Sequence, residues 1–135
     1  MGAFDLYIVT PDGEAFSDRV QMITVRTTEG DLGIMKGHID YLASVDVGRV
    51  RIKLEDGSEK IASCGGGFIT CEGGVVRFVA TTFEFEEDID LERAKAAKER
   101  AEKMLEESRD DRNVAIAKLK LARALNRISV KDHNS

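Results

Sequence analysis

Arginine spacing sets the chemistry this sequence can do. Arg93 and Arg100 are seven apart and Arg123 and Arg127 four apart, in a stretch from Ile89 to Ile128 that holds no Gly and no Pro. Asp90 stands three residues before Arg93. Spacings of three, four and seven fall on one helix face, so Asp90, Arg93 and Arg100 share a face of one helix, and Arg123 and Arg127 a face of a second. If the helices run antiparallel, the end of the second lies beside the start of the first. Four guanidiniums then converge where free backbone N–H groups add positive potential. Guanidinium grips phosphate bidentately, so the implied chemistry is the holding of an anion. Asp90 could accept from a base amino group or orient an arginine. The same spacings also suit a solvated face laced with ion pairs worth about 0.2–0.5 kcal/mol each, and spacing by itself favours that plainer arrangement.

No catalytic constellation competes with this one. Gly30-Asp31-Leu32-Gly33-Ile34-Met35-Lys36-Gly37-His38 is rich in glycine but lacks the Gly-Lys-Ser/Thr ending of a phosphate-binding loop and does not lead from a strand into a helix. It reads as a loop whose glycines allow sharp turns at a contact surface. His38 has no neighbouring acid or nucleophile and reads as a turn histidine. His133 falls in a C-terminal tail and carries no signal. Cys64 and Cys71 lack metal-type spacing and sit in apolar, strand-like context, as two small core residues of a reducing compartment would. The chain reads as a non-enzyme with no metal site.

The elements that must position the arginines follow from the pattern. Glycine and the single proline, Pro11, are confined to the chain before Ile89. There, Phe4, Leu6 and Ile8 alternate with Asp5 and Tyr7, and Val50, Ile52 and Leu54 alternate with Arg51, Lys53 and Glu55. Such period-two runs are half-buried strands. Turns at Pro11-Asp12-Gly13, Asp56-Gly57 and Gly73-Gly74 separate them. Further strands are expected at 22–25, 45–47, 60–63, 68–71 and 75–81, giving a sandwich or barrel. After an acidic junction at 83–88, Asp88 is expected to cap a first helix running from about Ile89 to Glu107, with Ala94, Ala97, Ala101, Met104 and Leu105 as its apolar stripe. Asp110 or Asp111 is expected to cap a second helix running to about Ile128, with Val114, Ala117, Leu121, Ala124, Leu125 and Ile128 inward. The break of only a few residues makes an antiparallel hairpin. The fold class is α+β: residues 1–84 a β domain, residues 85–135 a helical hairpin.

Charge and hydropathy exclude other classes. The 135-residue chain is 42% hydrophobic and 33% charged, as a globular domain is, and its net charge of −5 is not that of a nucleic-acid binder. No apolar run approaches the ~20 residues of a membrane span, so no direct membrane insertion is expected. Arg112 to Lys131 holds six basic residues and no acidic one, a segment that seeks an acidic partner or an anion. The helical stripes are alanine-rich. Apolar burial contributes about 25 cal/mol per Å², so such a seam is held weakly and permits both a folded-down and an opened-out state.

The Gly30-x-Leu32-Gly33-Ile34-Met35-x-Gly37-His38 segment, the Gly66-Gly67-Phe68 strand entry, the Ile89-Asp90-x-x-Arg93-Ala94 junction and the ending Arg123-Ala124-Leu125-Asn126-Arg127-Ile128-Ser129, in that order, resemble the epsilon subunit of bacterial F-type ATP synthase. The resemblance spans essentially the whole chain. It implies an antiparallel β-sandwich of about ten strands followed by the hairpin, in a peripheral subunit of the central stalk at the cytoplasmic face of the cell membrane. It implies that the sandwich clamps the gamma subunit and rests on the c-ring through the loop of Glu29, Asp31, Met35, His38 and Leu42. Lys36 and Asp40 stand where the family loop usually carries prolines. It implies further that the hairpin, folded down, binds ATP as a regulatory ligand through Glu84, Ile89, Asp90, Arg93, Ala94, Arg100, Arg123 and Arg127, with Mg²⁺ optional. Opened out, the hairpin would reach the alpha/beta catalytic head and inhibit ATP hydrolysis, the basic run 112–131 meeting an acidic segment of beta.

Overall fold

The computed structural model describes residues 2–132, so His133 lies outside the described residues. Seven strands precede two helices: β1 (Phe4–Thr10), β2 (Gly13–Thr27), β3 (Gly30–Met35), β4 (Tyr41–Leu54), β5 (Glu59–Glu72), β6 (Val75–Ala80), β7 (Phe83–Phe85), α1 (Leu91–Glu107) and α2 (Asp111–Asp132). The expected short strands at 45–47 and 50–54 are one strand, β4, and those at 60–63 and 68–71 are one strand, β5. About ten strands thus become seven, because three long ones serve both layers of the sandwich.

The ladder pattern shows how. The first half of β2 pairs with β1, and its second half with β3 and β4. The break falls at a register shift between Val20 and Met22, a bulge that bends the strand. β5 pairs with β7 over Ala62–Cys64 and with β6 from Gly67 onward, while β4 follows it along both halves. The run Gly65-Gly66-Gly67 sits at the changeover. Gly66 has φ +98°, and a Cβ on Gly67 would overlap the Val79 carbonyl oxygen, so side chains are excluded where β5 crosses between layers. β1 and β6 run parallel; the other pairs are antiparallel. Leu6, Ile8, Val20, Ile23, Val25, Ile34, Val50, Ile52, Ile69, Val76 and Phe78 fill the interior, none more than 1% exposed. Cys64 and Cys71 are buried among them as free thiols, matching the core role expected.

Gly30–Met35, expected to be a loop, is the edge strand β3. Glycine at 33 is compatible with this because it leaves room for the Met22 side chain, whose Cε would lie 2.7 Å from a Cβ there. The turn is confined to Lys36-Gly37, with His38 N donating to Met35 O at 3.1 Å.

The helices pack side by side, joined through Ser108–Asp110. Asp110 Oδ1 accepts from Asn113 N at 2.8 Å and caps α2. The seam between the helices is alanine, as expected: Ala94, Ala101, Ala117 and Ala124 are buried. Leu125, expected inward, is 45% exposed, and Val130, beyond the expected end of the helix, is fully buried. The end of α2 also reaches beyond α1: Arg49 Nη2 donates to Ser129 O at 3.4 Å, and Lys131 Nζ donates to Glu86 O at 3.1 Å.

Candidate functional site

α1 begins after a 3₁₀ turn over Glu86–Asp88. That turn consumes Asp88, the expected cap, and Ile89 closes it, its N–H donating to Glu86 O at 3.2 Å. Asp90 is the cap instead. Its backbone is extended, and its Oδ1 accepts from Arg93 N at 3.1 Å. The residue expected to meet a ligand is therefore also the one that starts the helix.

The helix start faces a cleft of about 410 Å³ between β7, α1 and α2. Of the eight expected ligand residues, Glu84, Asp90, Arg93, Ala94, Arg100 and Arg127 line it. Ile89 does not; it is 4% exposed and serves as a buried anchor beneath the helix start. Arg123 does not either. It lines an adjoining cleft of about 380 Å³ together with Arg100, Lys120 and Arg127. Its Nε donates to Gly65 O at 3.3 Å, tying α2 to the sandwich. Arg127 Nε meets Glu84 Oε1 at 2.6 Å, a charge-assisted contact joining α2 to β7.

The two clefts differ in charge. Asp12, Glu84, Asp88 and Asp90 face Arg93, Arg100 and Arg127 in the first. The second collects Arg100, Lys120, Arg123 and Arg127 with no carboxylate. They share Thr82, Ala97, Arg100 and Arg127, and so form one elongated groove with an acidic, polar end and a basic end. Such a groove suits an elongated ligand with an uncharged, hydrogen-bonding head and a polyanionic tail. Sequence reasoning missed Lys120 as a groove residue, although its three- and seven-residue spacing to Arg123 and Arg127 marks the same helix face. Thr82 gave no signal, since only the fold brings it between the clefts.

The family description "ATP synthase, Delta/Epsilon chain, beta-sandwich domain" matches residues 3–86, and "ATP synthase, Delta/Epsilon chain, long alpha-helix domain" matches residues 87–132. The chain belongs to this family. The ATP synthase epsilon chain of Bacillus velezensis is 44% identical over 123 residues, covering 91% of this chain and 92% of that one. That of Staphylococcus aureus is 40% identical over 131 residues, covering 96% and 97%. Among solved structures, a chain in the Euglena gracilis mitochondrial ATP synthase, described as OSCP/F1/c-ring, superposes with a TM-score of 0.78 at 24% identity, over 93% of this chain and 79% of that one. A chain of the central stalk/c-ring of the Tetrahymena thermophila enzyme gives 0.62 at 14% identity, over 94% and 95%. At those identities the likeness is one of fold.

In this delta/epsilon-family chain the expected contact loop does not form one patch. Glu29 and Asp31 sit at the β2–β3 end, where Asp31 reaches Arg26 Nε at 3.7 Å. Met35 sits at the opposite end of β3, roughly 13–20 Å away at ~3.3 Å per strand residue, and His38 and Leu42 follow it in the chain. That second end is apolar and open: Met35 is 48% exposed, Ile39 76%, Leu42 66% and Phe68 46%. His38 packs edge-on against Tyr41, with ring centroids 5.9 Å apart, and its Nδ1 lies 2.7 Å from Ile39 O. Among the described residues no cluster of potential metal ligands occurs, and no helix is long and apolar enough to cross a membrane.

Proposed function

We propose that this chain is the non-catalytic central-stalk epsilon subunit of a rotary F-type ATP synthase, whose hairpin binds ATP when folded down and inhibits ATP hydrolysis when opened out. The observation that carries the regulatory part is the groove at the start of α1, where the two helices present Arg93, Arg100, Lys120, Arg123 and Arg127 beside Thr82 and Glu84 of the sandwich. The nucleoside belongs at the end lined by Asp12, Glu84, Asp88 and Asp90, where carboxylates accept from amino and hydroxyl groups, and the phosphates at the basic end. Four cations at that end neutralise a triphosphate without metal, so Mg²⁺ is optional. The ligand touches both helices and the sandwich, so it favours the folded-down state by its differential affinity for that state.

The sandwich is assigned to the gamma subunit and the c-ring. The apolar end formed by Met35, Ile39, Leu42 and Phe68 supplies the ring-facing contact, and Glu29 and Asp31 face the stalk. The basic residues of 112–131 are assigned to an acidic segment of beta in the opened state. The subunit thereby sits peripherally at the cytoplasmic face of the membrane.

Titration calorimetry with ATP on the isolated chain tests the regulatory reading. Asn caps helices as well as Asp does, so Asp90→Asn preserves α1 while removing the charge. Binding is expected for the parent chain, with loss of about tenfold or more in affinity for Arg93→Ala and Arg127→Ala. No binding in the millimolar range, or binding indifferent to these substitutions, removes ATP sensing and leaves a purely structural and inhibitory rotor subunit.

A further inference from the structure

A second arginine cluster lies along a different flank of α2. Arg26 of β2 and Arg49 and Arg51 of β4 line a cleft of about 340 Å³, which Asn126 and Ser129 of α2 close from above. None of these arginines belongs to the groove described above. Arg49 Nε is buried without a hydrogen-bond partner, and its Nη2 reaches Ser129 O only at 3.4 Å. A buried donor left unpaired is costly, so its persistence asks for a ligand acceptor. Arg26 touches only the exposed Asp31, at 3.7 Å, and Arg51 makes no ion pair among the described residues. Gly48 lets the cluster assemble: a Cβ there would lie 3.1 Å from Arg26 Cβ and 3.3 Å from its Cδ. With one carboxylate against three guanidiniums, the cleft carries two net positive charges, and the Thr24 and Ser129 hydroxyls add neutral donors.

We propose that this cleft is a phosphate site, built for a compact dianion held by Arg26, Arg49 and Arg51 and completed by the end of α2. Guanidinium forks match tetrahedral oxyanions, and the orphaned Arg49 Nε gains the acceptor it lacks. Because Ser129 and Asn126 come from the hairpin and the arginines from the sandwich, phosphate and hairpin docking strengthen each other reciprocally. That coupling rests on the hairpin mobility proposed above; the binding itself does not. The phosphate comes either from the free ion or from the end of a nucleotide.

The test is ¹H–¹⁵N NMR titration of the full chain with inorganic phosphate, at ionic strength held constant with chloride. Saturable shifts at the Arg26 and Arg49 side-chain Nε–H and at amides 47–51, 126 and 129 are expected. Arg49→Gln and the more exposed Arg26→Gln should each weaken binding about tenfold. Arg93→Ala/Arg100→Ala, which changes the groove without touching the bonds that tie α2 to the sandwich, should leave phosphate binding intact, which separates this site from the groove. ATP added to that double variant distinguishes the sources: shifts in the arginine cleft identify a nucleotide's terminal phosphate, and their absence identifies the free ion. Either result supports the site. No saturable shift in the millimolar range, or shifts unaltered in both single variants, overturns it. Slower amide exchange in α2 on adding phosphate supports the coupling, and unchanged exchange overturns the coupling alone.

Discussion

The sandwich and the hairpin bury different chemistry. The sandwich interior is filled with Phe78, Leu6 and branched aliphatics, each essentially fully enclosed. The helical seam is alanine, and what attaches it to the sandwich is polar: Asn126, Arg123, Arg127 and Lys131 each reach across. Apolar burial does not distinguish well between orientations, whereas hydrogen bonds hold one geometry and exchange readily for water. Undocking the hairpin is therefore expected to cost less than opening the sandwich.

The largest effect belongs to the sandwich. Phe78→Ala should cost about 3–5 kcal/mol in chemical denaturation, enough to threaten the whole domain. If truncation of an alanine-seam neighbour such as Met104 destabilises the sandwich comparably, the two regions are not separable and the contrast fails.

Next comes the polar clasp. Asn126 Nδ2 donates to Gly48 O at 2.8 Å and Ser63 Oγ at 2.9 Å, the latter on a buried serine. Asn126→Ala should cost about 1–3 kcal/mol. Gly65→Ala should do similar damage by another route, since its Cβ would overlap Thr82 Oγ1 and lie 3.0 Å from Arg123 Nε. Hydrogen exchange should show α1 and α2 losing protection while β1 and β6 keep theirs. Equal loss across both regions would mean that the clasp holds the sandwich together as well.

A buried group of the sandwich adds a pH dependence. Burial pushes the Cys64 thiol from 9.0 up to about 11, against the lowering pull of the Gly66 N–H and of Arg123. The unfolded chain ionises first, so this contribution is complete below about pH 9 and falls as pH rises through 11, by about 1.4 kcal/mol per unit. Cys64→Ala should flatten that part of the alkaline stability curve. A curve of unchanged slope would show that the Cys64 thiol is not kept out of water in the folded chain.

The sandwich was legible in the sequence where alternation is strict, as at 4–8 and 50–54, because side-chain period two has no competitor there. It failed where two strands were really one. Long strands that bend between layers lose their alternation at the bend, so β4 and β5 looked broken. β3 was hidden by Gly30, which takes a positive φ at the turn, and by Gly33, which makes room for Met22. In the groove, Asp90, Arg93, Arg100 and Arg127 were legible because helical spacing fixes direction. Arg123 shared their pattern but turns partly to the Gly65 carbonyl, and a backbone acceptor leaves no trace in side-chain spacing. The arginines of the sandwich cleft were invisible for a related reason: β2 and β4 meet there only through their ladder.

The smallest effect tests the buried face of α2. Helical periodicity put Leu125 inward, yet it is 45% exposed, and Val130, five residues later, is fully buried. Leu125→Ala should change stability by no more than about 0.5 kcal/mol. Val130→Ala removes roughly two methylene equivalents and should cost about 2 kcal/mol. The comparison is informative because alanine suits a helix interior, so propensity works against finding a loss and any loss at Val130 reflects docking. The Val130 cost should vanish in a chain lacking the Asn126 clasp, since an undocked helix buries neither residue. If Leu125 proves the costlier of the two, the hairpin rests in solution with a different face inward than the one seen here.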